Sequence, residues 1–274
     1  MIHTQKMPVP AKPGKTPTQS TPAAPAGERL SKRVMQLKAC SRREAEQYIE
    51  GGWVQINGQV VEEPMARVRD QTVTLDPHAN LMQINDVTLL LHKPPAFDAM
   101  AALGQANKRV KPAQQLLQPA SHWVEDPSGM RILKHHFAKL SACVPLELAA
   151  SGLVVFTQDW RVLRKLTEDA TIMEHELLAE VKGEVTAELL RRLNAPPASD
   201  RDAVPVVKVS VNSSSETSTR LRFAFKGAHP GLIAWLCERA GLQITSMKRL
   251  RIGRVALSHL PEGQWRYLHP QERF

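Results

Sequence analysis

Cysteine is scarce in this chain of 274 residues: Cys40, Cys143 and Cys237 are the only three. They stand far apart, without a Cys-x-x-Cys pair or a Cys/His spacing, which argues against a disulfide framework and against a zinc site. A run of roughly 20 apolar residues, the length that spans a bilayer, is also missing, so no membrane association is expected. The start of the chain lacks the short apolar core of a secretion signal, and a cytoplasmic protein is the expectation. No glycine-rich phosphate loop occurs. Ser151 lacks the Gly-x-Ser-x-Gly frame of a nucleophile elbow. His92, His135 and His136 have no third ligand at metal spacing, so no metal site is expected.

Positive charge is abundant. Thirty-six Lys and Arg against 27 Asp and Glu give a formal net charge of +9 and a pI near 9.7. A surplus of this size favours a polyanionic partner, because counterions released from phosphates drive association. The hydrophobic fraction of 42% is ordinary for a globular protein, and the length allows two domains.

Residues 1–27 are rich in Pro, Thr, Ala and Lys and contain no Phe, Trp or Tyr. Such a segment cannot bury enough surface to offset ordering, so a disordered basic tail is expected. From Glu28 the pattern turns helical, with Leu30, Val34 and Leu37 on one face. A second helix begins after Ser41, where Glu44 three residues on completes a capping box and Gly51-Gly52 ends the helix. Asn57-Gly58 between Trp53–Ile56 and Gln59–Val61 is the signature of a tight hairpin. Residues 28–85 therefore form a small, largely helical domain. Residues 86–274 mix strand patterns with helical ones. The strands are Val87–His92, Leu153–Phe156, Leu177–Val181, Val206–Val211 and Leu221–Phe225, and the helices Trp160–Leu166, Thr186–Leu193 and Leu232–Ala240. Their irregular alternation predicts an α+β domain on a mixed, largely antiparallel sheet rather than a doubly wound one. Ser213-Ser214-Ser215 is expected in a polar loop.

The segment Arg29-Leu30-Ser31-Lys32, Cys40-Ser41-Arg42-Arg43-Glu44-Ala45 and the hairpin from Gly52 to Gly58 together resemble the S-four RNA-binding domain. That resemblance implies that Arg29, Lys32, Lys38, Arg42 and Arg43 meet RNA phosphates. Further on, His92-Lys93-Pro94-Pro95, then Pro145 to Leu153, then Lys248-Arg249-Leu250-Arg251-Ile252-Gly253 resemble, in order, three motifs of the bacterial ribosomal RNA pseudouridine synthases. The dual-specificity large-subunit and transfer RNA type is the nearest in pattern. The resemblance implies isomerisation of uridine in structured ribosomal or transfer RNA, without metal or cofactor; a monomer with ribosomal RNA as its partner is expected. It also implies that Lys93, Lys248, Arg249 and Arg251 supply charge around the cleft and bind RNA there.

The sequence departs from that pattern where the chemistry would lie. Glu147 stands at the catalytic aspartate position and Pro145 at the arginine two residues before it. Leu177 stands at the tyrosine that packs on the base, and Gly227 to Leu236 replaces an arginine-rich helix start. The extra methylene of glutamate displaces the carboxylate by about 1 Å, which can cost roughly a hundredfold in rate. Two readings stand open: a family member whose residual isomerase activity rests on Glu147, or a non-catalytic RNA-binding or ribosome-assembly factor.

Overall fold

The computed structural model describes residues 27–81, 85–105, 110–195 and 205–274. The basic tail expected over residues 1–27 lies, but for Gly27, outside the described residues. The chain divides between Met82 and Gln83 into two compact units.

In the first unit β1 (Glu28–Arg29) leads into α1 (Leu30–Leu37), and α2 (Arg42–Glu50) follows. Ser41 Oγ accepts the Glu44 N–H while the Glu44 carboxylate accepts the Ser41 N–H, the capping box expected from the sequence. The strands β2 (Val54–Ile56) and β3 (Gln59–Val60) form the hairpin, followed by β4 (Arg67–Val68) and β5 (Val73–Leu75). Asn57 and Gly58, with φ of 50° and 81°, make the turn, a conformation that suits these two residue types. Leu30, Val34, Ala45, Tyr48, Ile49 and Val54 close the core. Leu37, expected on the same apolar face, is 52% exposed. It is the last residue of α1, one turn beyond the buried Val34.

The second unit is built on a sheet of nine strands among the described residues. Its elements in chain order begin with β6 (Thr88–Lys93), β7 (Ser141–Ala142), β8 (Ser151–Thr157), α3 (Trp160–Glu168), β9 (Glu174–Lys182) and α4 (Ala187–Asn194). They continue with β10 (Val207–Ser214), β11 (Ser218–Lys226), α5 (Leu232–Arg239), β12 (Ile244–Ile252), β13 (Val255–Ala256) and β14 (Trp265–Tyr267). The strand order is β10-β11-β9-β12-β8-β6-β14, with β7 added to β8 and β13 to β12. Only β8 and β12 pair in parallel, so the sheet is mixed and the fold α+β.

The central strands β6 and β8 are buried along their whole length, which is why both read as continuous apolar runs. Strand β9 alternates instead: His175, Leu177, Ala179 and Val181 face the core, while Glu174, Glu176 and Glu180 face outward. The serine run expected as a loop belongs mostly to β10, which continues through a bulge after Val211 to Ser214. Pairing with the serine- and threonine-rich start of β11 satisfies its backbone despite the polar side chains.

Candidate active site

The loop from Val144 to Leu153 carries Glu147, and two buried cations hold its backbone. Lys93, fully buried at the end of β6, donates to the carbonyls of Ala150 at 2.6 Å and Pro94 at 3.0 Å, with Leu148 at 3.5 Å. Arg249, on β12 and 2% exposed, donates from Nε to Leu153 at 2.7 Å, from one terminal nitrogen to Pro145 at 2.7 Å and from the other to Val144 at 3.3 Å. Burial, aided by the charge of Arg249, pushes the Lys93 amine down to about 8. Burial pushes the Arg249 guanidinium down to about 9, against the pull of the Glu147 carboxylate. Both remain largely charged at neutral pH, with backbone oxygens as their hydrogen-bond partners. Placed to face RNA by the sequence reading, these two side chains are turned inward.

Close approach of backbone fixes the same region. Gly152 has φ of 117° and pairs with Arg249 across the parallel β8–β12 contact. A Cβ there would stand 2.4 Å from the Arg249 backbone nitrogen and oxygen. The glycine of the sequence motif is thus required by packing at this crossing.

The Glu147 carboxylate does not form a hydrogen-bonded ion pair with Arg249. Its Oε1 accepts the N–H of Gly231, 2.8 Å away, at the start of α5. A carboxylate is favoured there by the unpaired amides of a helix N-terminus. Around it, Leu177, His175 and Phe225 from the sheet and Ala228, His229 and Pro230 from the connection to α5 line a partly open pocket of about 20 Å³. That space suits one water and is far too small for a nucleobase. Leu177 is 4% exposed and fills the position where an aromatic ring was the alternative.

His175, two residues before Leu177 on the same face, is 2% exposed, and its Nδ1 has no hydrogen-bond partner. Its ring is stacked on Phe225 with centroids 6.2 Å apart. Burial first, then the nearby charges of Arg249, His229 and Arg251, pushes its pKa down to about 3, so the ring is neutral. The sequence reading missed His175, Phe225 and His229. The alternation of β9 and β11 identifies the first two as inward-facing, whereas only the tertiary fold brings His229 to them.

Lys248 and Arg251 lie on the other side of the sheet. Lys248 pairs in register with Leu178 and Arg251 with Glu176, outward positions of β9. Lys248 makes no ion pair, and Arg251 is bound by both Glu174 and Glu176. Of the four cations expected around Glu147, the fold therefore puts only Arg249 in the pocket lining.

In the first unit Lys32, Lys38, Arg42 and Arg43 are exposed and Arg29 is half-buried. Arg29, Lys32 and Arg42 line one groove together with Arg67, a residue the sequence reading did not single out. Arg67 donates to the Gly27 carbonyl at 2.8 Å. Arg42 pairs with Glu46, and the Lys38 amine sits 4.5 Å from the Tyr48 ring centroid. Among the described residues Lys32 and Arg43 form no ion pair. Among the described residues no group of three His, Cys, Asp or Glu side chains could hold a metal, and no helix is long and apolar enough to cross a membrane.

Residues 28–73 match the S4 domain, the S-four module described above. Over 250 residues, 89% of this chain and 76% of the relative, the chain is 28% identical to the dual-specificity RNA pseudouridine synthase RluF of Salmonella typhi. It is 24% identical to an uncharacterized RNA pseudouridine synthase of Aquifex aeolicus, covering 89% of this chain and 94% of that one. A ribosomal large subunit pseudouridine synthase B of Pseudomonas aeruginosa is 25% identical, over 93% of this chain and 63% of the relative. Among solved structures, a pseudouridylate synthase superposes with a TM-score of 0.51 at 17% identity, over 88% of this chain and 95% of that one.

Proposed function

For an S4-domain homologue of the bacterial RNA pseudouridine synthases, which this chain is, we propose a function in binding structured RNA without isomerising uridine. One observation carries the reading: the Glu147 carboxylate is engaged by the Gly231 N–H inside a pocket of about 20 Å³. A base must leave its stack and enter such a pocket before any carboxylate can reach it. Here the space is lined by Leu177, His175 and the His229 segment, and of the cations of the family motifs Lys93 and Arg249 are engaged by loop carbonyls and Arg251 by outward glutamates.

The RNA is engaged by the S4 domain through Arg29, Lys32, Lys38, Arg42 and Arg43, with Arg67 added from the groove. Positive side chains around two short helices meet phosphates and fix register without reading bases. The name of one relative, ribosomal large subunit pseudouridine synthase B, supports ribosomal RNA as the kind bound. In this reading Lys93 and Arg249 shape the Glu147 loop and do not touch RNA.

The test is tritium release from ribosomal RNA labelled at uracil C5, run beside a binding assay. The expected result is binding with no release, by the wild type and by Glu147→Asp alike, because Leu177 and Pro145 remain. Release by the wild type that disappears in Glu147→Ala would overturn the proposal and establish a glutamate-dependent synthase.

A further inference from the structure

We propose that the outer face of strands β10, β11, β9 and β12 is a second track for the phosphate backbone of RNA, separate from the S4 domain. The inference rests on the reading of the chain as an RNA-binding protein. It starts from register. Strand β9 presents Glu174, Glu176 and Glu180 outward, and its neighbour β11 presents Arg220, Arg222 and Lys226 on the same side. On the far side of β9, β12 presents Lys248 and Arg251. Beyond β11, β10 adds Lys208, opposite Ala224. With Lys182 at the end of β9, opposite Ser218, seven cations share this face with three carboxylates.

Cross-strand pairing explains part of this pattern. Arg222 meets Glu176 at 3.1 Å, Arg251 meets Glu176 at 3.0 Å and also binds Glu174, and Arg220 lies 3.7 Å from Glu180. Exposed pairs of this kind are screened by solvent and do little for stability. What they do is orient. Glu176 and Asn212 hold the Arg222 guanidinium, which is 47% exposed, in a fixed attitude with its Nε free. A fork held in that way is suited to a phosphate oxygen.

The remainder is unexplained by pairing. Among the described residues Lys208, Lys226 and Lys248 form no ion pair, and Lys208 and Lys226 are exposed. The Glu174 carboxyl is held low first by its hydrogen bond from Arg251 and further by the charges of Lys208 and Lys226, which places both lysines around one end of the face. Four adjacent strands at 4.7–4.9 Å spacing make this face about 14 Å wide, with hydroxyl and amide donors of Ser210, Asn212 and Ser246 between the charges. A donor-rich surface with surplus positive charge, whose outward apolar side chains are the half-buried Leu178 and Ala224, fits a phosphate backbone.

The experiment measures the affinity of the full chain for a structured ribosomal RNA fragment across a salt series. It compares wild type, Lys208→Gln with Lys226→Gln, and Lys32→Gln with Arg43→Gln. Loss of two phosphate contacts should lower the slope of log affinity against log salt by about 1.4–1.8 in either double variant. A slope unchanged in Lys208→Gln/Lys226→Gln but lowered in the S4 variant would overturn the second track and leave RNA binding intact. A wild type that fails to bind RNA at all would overturn both. Arg222→Gln is the third variant, and a smaller decrease, about one contact, is expected from it.

Discussion

Glu147 and Gly152 lie five residues apart and illustrate two kinds of constraint at the residue scale. Glu147 is a chemical departure: its carboxylate is retained but bound to the Gly231 amide. Gly152 is steric: no side chain fits between β8 and the Arg249 backbone, and its φ of 117° disfavours L residues. Gly152→Ala is therefore expected to destabilise the larger unit by about 2–4 kcal/mol, read as a lower urea midpoint. An unchanged midpoint would mean that β8 and β12 can separate without loss. The glycine was legible in the sequence as part of a motif, and so was the substitution at position 147. The partner of Glu147 was not, because Gly231 is 84 residues away and no local signal links them.

Elements were read from sequence with uneven success, and the reasons are physical. Helix α2 was legible because its cap is written in four consecutive residues, Ser41 to Glu44, and capping is a local interaction. Ser41→Ala removes the side-chain acceptor for the Glu44 amide and should cost about 1 kcal/mol, seen as roughly fivefold faster hydrogen exchange in α2. No change in exchange would show that packing of Tyr48 and Ile49 alone sets the stability of that helix. Strand β12 was legible only as a motif. Its Lys248, Arg249 and Arg251 hide the alternation, since Arg249 is a buried cation and a bulge between Arg249 and Arg251 breaks the two-residue period. The cations of that strand consequently point to both sides of the sheet, and the sequence reading had assembled them around one cleft.

At the scale of the whole molecule, buried histidines tie stability to pH. Burial, with the neighbouring charges of Arg249, His229 and Arg251, holds His175 down to about 3. Burial and the adjacent His135 hold His136 down to about 4, with its Nδ1 2.7 Å from the Tyr267 hydroxyl. Burial also lowers His92, against the hydrogen bond to the Leu260 carbonyl. All three belong to the second unit. Their folded pKa values lie below the unfolded value near 6.5, so above that pH neither state binds the proton. As pH falls below 6.5 the unfolded chain takes up protons that the fold refuses, and stability drops by up to about 1.4 kcal/mol per pH unit for each ring. Urea melts of the larger unit should show a lower midpoint at pH 5 than at pH 7.5, a window above the ordinary carboxylate range. Equal midpoints would mean that the rings accept protons inside the fold.

The sequence by itself determined what depends on near neighbours and on composition: the capped helix, the Asn57-Gly58 hairpin, the buried central strands, the basic surplus and the altered residues at 145, 147 and 177. Those features are encoded within a few positions or in totals, and they need no knowledge of what packs against them. The tertiary structure decided which of the altered residues meet and what each cation serves. Burial drives Lys93 and Arg249 to backbone oxygens, register sends Lys248 and Arg251 to the outer face, and the α5 connection closes over Glu147. Such outcomes depend on contacts between strands and loops tens of residues apart, where a charged side chain reads the same in sequence whether it faces a phosphate or a buried carbonyl.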